Sequence, residues 1–420
     1  MREHWPQALA ALRATIPQNE VIVRALRRLT KTAVACALCA LGVVFAAGAT
    51  DAATKKEEGF TTKAQNAILL DSGADLVLYE KNADTRIPPA SMSKLMTLAV
   101  VFRELKAGRI KLDDTFKVSE HAWRTGGAPS GTAAMFAPLG DEITVEDLIQ
   151  GVTVQSANDG ALILAEGIGG TEQGFVKMMN DYAKQIGLTQ STFVNPTGLE
   201  AEGHLMTARD LATLAKFLIE TYPEYYHYFS QKEFRYRDKF TFRNRNPLVW
   251  SDIGVDGLKT GYLKEAGYGL VSSAQRGDQR LILVVTGLPD KGDRESESRR
   301  MLEWGFKSFR PFRLFDDGQQ ISEALVWGGE KHYVPLVGNG AIDLLLPASA
   351  TGAVSGEIVY DGPIKAPIKK GDQIAILKVK AAELEAVNEI PLYAGEDINS
   401  SNFAMRGIDS LLVLAFGWLL

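Results

Sequence analysis

Residues 88–97 read PPASMSKLMT, two prolines followed at once by the opening of a helical pattern. Proline fixes φ and biases the residue before it away from helix, so Pro88-Pro89 closes an extended segment and Ser91 opens the next element. Apolar residues then recur at Leu95, Leu98, Val101, Phe102 and Leu105, the spacing of one buried helix face. Upstream, Ala67–Asp71 and Leu76–Lys81 are short apolar runs around Ser72-Gly73, which predicts a β-hairpin. Downstream, residues Val145–Thr221 read as mostly helical, with helix starts at Thr144 and Thr207. Lys259–Gln275 and Arg280–Gly287 have strand character and meet at the turn Arg276-Gly277-Asp278, and Arg294–Phe309 reads as a closing helix. Strands at both ends with helices between them predict one α+β domain whose sheet joins segments distant in sequence.

The pattern changes near Pro311. Short alternating runs bounded by Gly, Pro, Asn and Asp follow: Ala324–Val326, Val334–Leu336, Asp343–Leu346, Glu357–Tyr360 and Gln373–Val379. They predict a small all-β domain. The expected boundaries are 57–312 for the α+β domain and 313–395 for the β domain.

The two ends differ from the body. The basic segment Arg24–Lys31 precedes the apolar run Thr32–Ala49, which ends in the small-x-small sequence Ala47-Gly48-Ala49. That order predicts a signal peptide over residues 1–52 and an exported body; an uncleaved anchor is the alternative. At the other end, Leu411–Leu420 is apolar but too short to span a bilayer. With Arg406, Asp409 and Trp418, it makes residues 400–420 a candidate amphipathic anchor lying on a membrane surface. Both cysteines, Cys36 and Cys39, fall inside the apolar leader. A mature chain without it has no disulfide and no thiol nucleophile. The 420 residues carry a formal net charge of −5, with no basic block large enough for nucleic acid. None of the five histidines pairs with another at metal-ligand spacing, and no metal or cofactor is implied.

Three short motifs occur in order: Ser91-Met92-Ser93-Lys94, Ser156-Ala157-Asn158 and Lys259-Thr260-Gly261. A serine hydroxyl is a poor nucleophile without a base. With Ser91 at a helix start, Lys94 lies one turn along on the same face. Desolvation and nearby positive charge would lower its pKa and let its neutral amine take the serine proton. The helix N-terminus adds free N–H groups for a developing oxyanion. Ser156 can relay a proton to a leaving amine, and Asn158 can orient Lys94 and bind a substrate amide. Lys259 supplies positive charge that would depress Lys94 and attract a carboxylate, and Thr260 offers that carboxylate a hydroxyl. Gly261 lets a substrate backbone lie close to the strand. Each motif alone is weak; the ordered set within one domain is strong.

With these residues the chain resembles the low-molecular-weight penicillin-binding proteins, the serine-type D-alanyl-D-alanine carboxypeptidases. The resemblance covers roughly Gln65 to Phe309. It extends to Gln155-Ser156-Ala157-Asn158-Asp159, where the family usually has Gly in place of Ala157. It also takes in Asn195-Pro196-Thr197-Gly198-Leu199, Thr207-Ala208-Arg209-Asp210 and Val255–Gly261 followed by Ala266-Gly267-Tyr268. It implies a β-lactamase/DD-peptidase-like fold, an antiparallel sheet with a helical subdomain. It also implies a Ser91 acyl-enzyme with Lys94 as base, and an oxyanion hole from the N–H groups of Ser91 and Tyr262. Arg294 falls where the family has an arginine near the substrate carboxylate. Tyr262 departs from the histidine of some members, which leaves only its backbone role. The implied substrate is a peptidoglycan stem peptide ending in D-Ala-D-Ala, and β-lactams are implied as acylating inhibitors. The implied location is periplasmic, with the β domain as a stalk and the tail on the outer face of the inner membrane.

Three rivals remain at this level. A β-lactamase of one major class needs a Glu-x-x-Leu-Asn base segment, and Glu166 continues instead as Glu-Gly-Ile-Gly. A cross-link endopeptidase would use the same residues. A non-catalytic wall-binding scaffold would be expected to have lost Ser91, Lys94 or Lys259.

Overall fold

A computed structural model of the protein describes residues 60–347, 354–381 and 387–401. The expected signal peptide, Cys36, Cys39 and the anchor segment from residue 402 onward lie outside them. Two compact units divide the described chain, one over Phe60–Arg310 and one from Pro311 onward.

The first unit is built on a five-stranded sheet: β1 (Asn66–Asp71), β2 (Leu76–Lys81), β3 (Val255–Leu263), β4 (Gly267–Arg276) and β5 (Gln279–Leu288). The order is β2-β1-β5-β4-β3, antiparallel throughout, so the first hairpin pairs with strands about 200 residues later. The run expected as a single strand over Lys259–Gln275 is two strands, because polar Lys264-Glu265 reverses the chain between β3 and β4. Every residue of β1 is buried. Its alternate side chains serve two cores, which is why the four residues between Asn66 and Asp71 are all apolar. Ile68 and Leu70 face the helical side with Ile282, Val284, Leu98 and Leu211. Leu69 faces the other side with Leu281, Leu283, Met301 and Leu302.

The helices that matter for the site are α1 (Lys94–Lys106), α2 (Asn158–Gly169), α3 (Glu172–Ile186), α4 (Ala208–Thr221) and the closing α5 (Lys291–Ser308). The start signals act as N-caps: Thr144 accepts from the Asp147 N–H, and Thr207 from the Asp210 N–H. Among the described residues, no helix is long and apolar enough to cross a membrane.

The strand β6 (Phe309–Phe315) straddles the boundary, and the second unit continues with β7 (Gln320–Trp327), β8 (Tyr333–Val337), β9 (Ile342–Pro347), β10 (Val354–Val359), β11 (Ile364–Lys365), β12 (Gln373–Ala381) and β13 (Val387–Ala394). Six of these form one sheet in the order β10-β12-β13-β8-β7-β11, and β6 pairs with β9. Alternate residues Ala324 and Val326, Val334 and Leu336, and Leu377 and Val379 point into one apolar core. Ser400 bridges to Gly329, and the Ser401 N–H donates to the Gly328 carbonyl.

Candidate active site

Ser91 sits in a single 3₁₀ turn, Ala90–Ser93, that runs directly into α1. Ala90 is held at φ 51°, unfavourable for a side chain with a Cβ, so the turn is fixed by its surroundings. One such constraint is Gly198 at φ 72°: a Cβ there would lie 2.0 Å from the Ala90 carbonyl oxygen and 2.5 Å from Ser93 Oγ. Another is β3, the edge strand of the sheet. A Cβ on Gly261 would be 3.0 Å from both Met92 Cγ and the Pro89 carbonyl oxygen. The nucleophile turn is thus wedged between the 195–199 loop and β3.

Lys94, the first residue of α1, is fully buried. Its Nζ donates to Ser91 Oγ at 2.9 Å, to Asn158 Oδ1 at 2.6 Å and to the Thr197 carbonyl. Burial lowers its pKa to about 7, with the positive charge of Arg245 acting in the same direction and Asp159 opposing it. Near pH 7 a lysine so placed is balanced between the ammonium form, which alone can make all three of these bonds, and a neutral amine able to accept from Ser91 Oγ.

Asn158 opens α2 and donates through Nδ2 to Thr132 Oγ1 at 2.9 Å. Asp159 beside it is fully buried, and its two carboxylate oxygens accept from the Met135 and Ala137 N–H groups at 3.0 and 3.1 Å. These bonds clamp the 127–137 loop to the start of α2. Ser156, buried and left-handed at φ 64°, terminates the π-helical turn Gly151–Gln155 just before α2.

Lys259 and Thr260 lie on β3 and are buried, whereas Tyr262 is half exposed and packs its ring against Tyr268 with centroids 4.3 Å apart. Arg294, in the first turn of α5, is buried, with its guanidinium 5.6 Å from the centre of the same Tyr268 ring. Its Nε has no hydrogen-bond partner among the described residues. Burial drives the Lys259 pKa well below normal, and the charges of Lys94, Arg245 and Arg294 add to this. The like charges of Lys94 and Lys259 oppose each other, as expected from the sequence, and Arg245 adds a further positive charge at Lys94. Lys94, Lys259, Arg245 and Arg294 form no ion pair among the described residues.

Of the nine residues singled out from the sequence, Ser91 lies in this turn, Lys94 opens α1, Ser156 and Asn158 stand just before and at the start of α2, Lys259, Thr260, Gly261 and Tyr262 lie on β3, and Arg294 lies in the first turn of α5. Arg245, Thr132, Asp159 and the Thr197 carbonyl also act at this site, although nothing in the sequence singles out these roles. Asp159 and Thr197 lay inside quoted motifs. Arg245 and Thr132 sit in loops whose approach to Lys94 is set only by the tertiary fold.

A fold of this kind, with its serine set against a buried lysine rather than a histidine, belongs among the serine-type peptidases. The family described as D-alanyl-D-alanine carboxypeptidase matches residues 51–290, and the penicillin-binding protein 5 C-terminal domain matches residues 309–400. D-alanyl-D-alanine carboxypeptidase DacC of Escherichia coli is 37% identical over 370 residues, 87% of this chain and 92% of the relative. Penicillin-binding protein 5 of Haemophilus influenzae superposes with a TM-score of 0.75 at 35% identity, covering 81% of this chain and 98% of that one. Penicillin-binding protein D2 of Listeria monocytogenes, solved in an ampicillin-bound form, has a TM-score of 0.51 at 31% identity, over 59% of this chain and 99% of its own. The chain belongs to the D-alanyl-D-alanine carboxypeptidase family.

Proposed function

We propose that the protein removes the terminal D-alanine from peptidoglycan stem peptides ending in D-Ala-D-Ala, through an acyl-enzyme on Ser91. The observation that carries this reading is the pair of buried cations without counterions, Lys259 and Arg294, beside a serine hydrogen-bonded to a lysine of lowered pKa. Buried cations without partners are costly, and a free C-terminal carboxylate supplies the missing charge. A substrate carrying that carboxylate one residue beyond the scissile bond is a carboxypeptidase substrate.

In this reading neutral Lys94 takes the proton from Ser91 Oγ as it attacks the penultimate carbonyl. The N–H groups of Ser91 and Tyr262 receive the oxyanion. Ser156 and Asn158 carry the proton to the leaving amine and hold the peptide amide. Lys259, Thr260 and Arg294 bind the carboxylate, and water then frees the acyl-enzyme. β-Lactams acylate the same serine because they present the same acyl and carboxylate groups. The substrate peptide lies in the cell wall, which agrees with the leader over residues 1–52 and with residues 403–420 holding the enzyme on the outer face of the inner membrane. Removing residues 403–420 should release active protein from membranes; a truncated form that stays bound would assign the anchor elsewhere.

The deciding assay measures free D-alanine released from a peptide ending in Lys-D-Ala-D-Ala, with and without benzylpenicillin. Penicillin-sensitive release is expected. Stable penicillin binding without release would make the protein a cross-link endopeptidase, and rapid penicillin hydrolysis would make it a β-lactamase.

A further inference from the structure

The loop 195–199 gives its Thr197 carbonyl to Lys94 Nζ and its Pro196 carbonyl to Thr97 Oγ1 at 2.7 Å, so it meets α1 at two points one turn apart. The chain leading into it is well anchored. Thr192 and Leu205 exchange backbone bonds in both directions, and Asn180 of α3 accepts from the Phe193 N–H at 3.0 Å and donates to the Phe193 carbonyl at 2.8 Å. Within the loop, no backbone group of residues 195–199 bonds to another backbone group among the described residues. One side chain takes over that task. Asn195 Oδ1 accepts from the Thr197 N–H at 3.1 Å, from Thr197 Oγ1 at 2.9 Å and from the Gly198 N–H at 2.7 Å, and Asn195 Nδ2 donates to the Leu199 carbonyl at 2.9 Å. Asparagine is suited to this, because its short amide bonds the backbone two or three residues on and mimics a backbone turn.

The geometry of the peptide unit carries this hold through to the base. The Thr197 carbonyl and the Gly198 N–H belong to one planar trans peptide, so they point in opposite directions. Fixing that N–H on Asn195 aims that carbonyl at Lys94. The aim matters because of what a neutral amine has to offer: two N–H groups and one lone pair. Of the three partners of Lys94 Nζ, Asn158 Oδ1 and the Thr197 carbonyl can only accept, and Ser91 Oγ alone has a proton to give. With both acceptors in place the two N–H groups are taken and the lone pair is left facing Ser91. Without the carbonyl, the amine is free to turn about its last bond and give an N–H to the serine instead.

We propose that Asn195 is a positioning residue for the base: its carboxamide aims the Thr197 carbonyl at Lys94 and thereby keeps the lone pair of the neutral amine on Ser91 Oγ. The proposal rests on the reading of Lys94 as the base of acyl transfer. It is tested by stopped-flow acylation with benzylpenicillin over a range of concentrations, which separates the first-order acylation step from the encounter constant. The measurement is made at pH 9, where Lys94 is neutral and its orientation alone is compared. Asn195→Ala should slow the first-order step by about 10- to 10²-fold, the scale of a misplaced catalytic group, and leave the encounter constant within about twofold. Asn195→Gln carries the same amide one methylene further out and should show the same pattern, so it decides the question if Asn195→Ala does not fold. Asn180→Ala removes the two bonds at Phe193 and leaves the Asn195 amide in place; its first-order step should stay within about twofold of wild type. An equal loss in Asn180→Ala, a loss confined to the encounter constant, or a first-order step near wild type in the Asn195 variants overturns the assignment. If the wild type takes up no penicillin, the acyl-enzyme reading fails separately. A ¹³C-NMR titration of Lys94 Cε then decides: loss of the carbonyl acceptor makes the ammonium form harder to keep, so a pKa lowered in the Asn195 variants and not in Asn180→Ala keeps the assignment, and an unmoved one ends it.

Discussion

The two units treat buried polarity in opposite ways. In the second unit, no polar or charged residue is fully buried among the described residues, and the core is aliphatic throughout. The first unit buries Lys94, Lys259, Arg294, Asp159, Asp210, Glu104 and Glu297. Within it the acids and the bases differ again. Asp210 accepts from the Gln190 N–H and Ser191 Oγ, Glu297 from Thr62 and Arg300, and Glu104 from Arg103 and Arg109. The buried cations have no carboxylate partner. Satisfied acids hold loops in place and are structural; unsatisfied cations oppose folding and persist where chemistry uses them. Buried charge alone therefore does not mark the site, but a cluster of buried basic side chains with no carboxylate partner among the described residues does.

The largest effect should come from Ser91→Ala, which is expected to abolish both penicillin labelling and D-alanine release, a fall of about 10³-fold or more. An adduct that still formed would remove Ser91 from the mechanism. Gly198→Ala comes next. Its new Cβ cannot fit against the Ala90 carbonyl, so the loop must move and carry with it the Thr197 carbonyl that holds Lys94. Displacement of about 1 Å in such a support lowers acylation by about 10²-fold. A stopped-flow acylation rate within twofold of wild type would show that the loop does not position the base.

Arg245→Gln tests whether the uncompensated charge tunes the base. Acylation needs neutral Lys94, so its rate should rise about tenfold per pH unit up to about 7 and then level off. Removing a neighbouring cation makes protonated Lys94 easier to form and raises its pKa. The acid limb of the profile should move to higher pH by roughly half a unit to one unit, with the rate at pH 9 unchanged. A profile that stays in place would mean that the Arg245 charge does not tune the base and that burial dominates the depressed pKa.

The fold class and the nucleophile were legible because both are local. Helical spacing after Pro88-Pro89 and the caps at Thr144 and Thr207 are written within a few residues. The pairing of β1 with β5 was not, since only the closed sheet brings Ala67 opposite Val285. Arg245 was invisible for the same reason: it acts on Lys94 across the fold. In the second unit β13 was missed because Pro391 reads against a strand. There Pro391 sits opposite Ile376 of β12, while the ladder from β13 to β8 involves only Tyr393 and Ala394, so the absent N–H interrupts no ladder on that side.

The smallest effect on acylation, and the sharpest test of the contrast between the units, is expected from Leu336→Ala. Leu336 is fully buried in the aliphatic core of the second unit. Its truncation should destabilise that unit by about 2–5 kcal/mol. Leu98, equally buried in the first unit, packs in the core on which α1 and Lys94 rest, so Leu98→Ala should lower the temperature at which penicillin labelling is lost. If each unit folds around its own core, Leu336→Ala shifts one calorimetric transition and leaves the acylation rate alone. A matching loss of acylation would mean that the β unit stabilises the nucleophile turn. The aliphatic core would then belong to the same functional body as the buried cations.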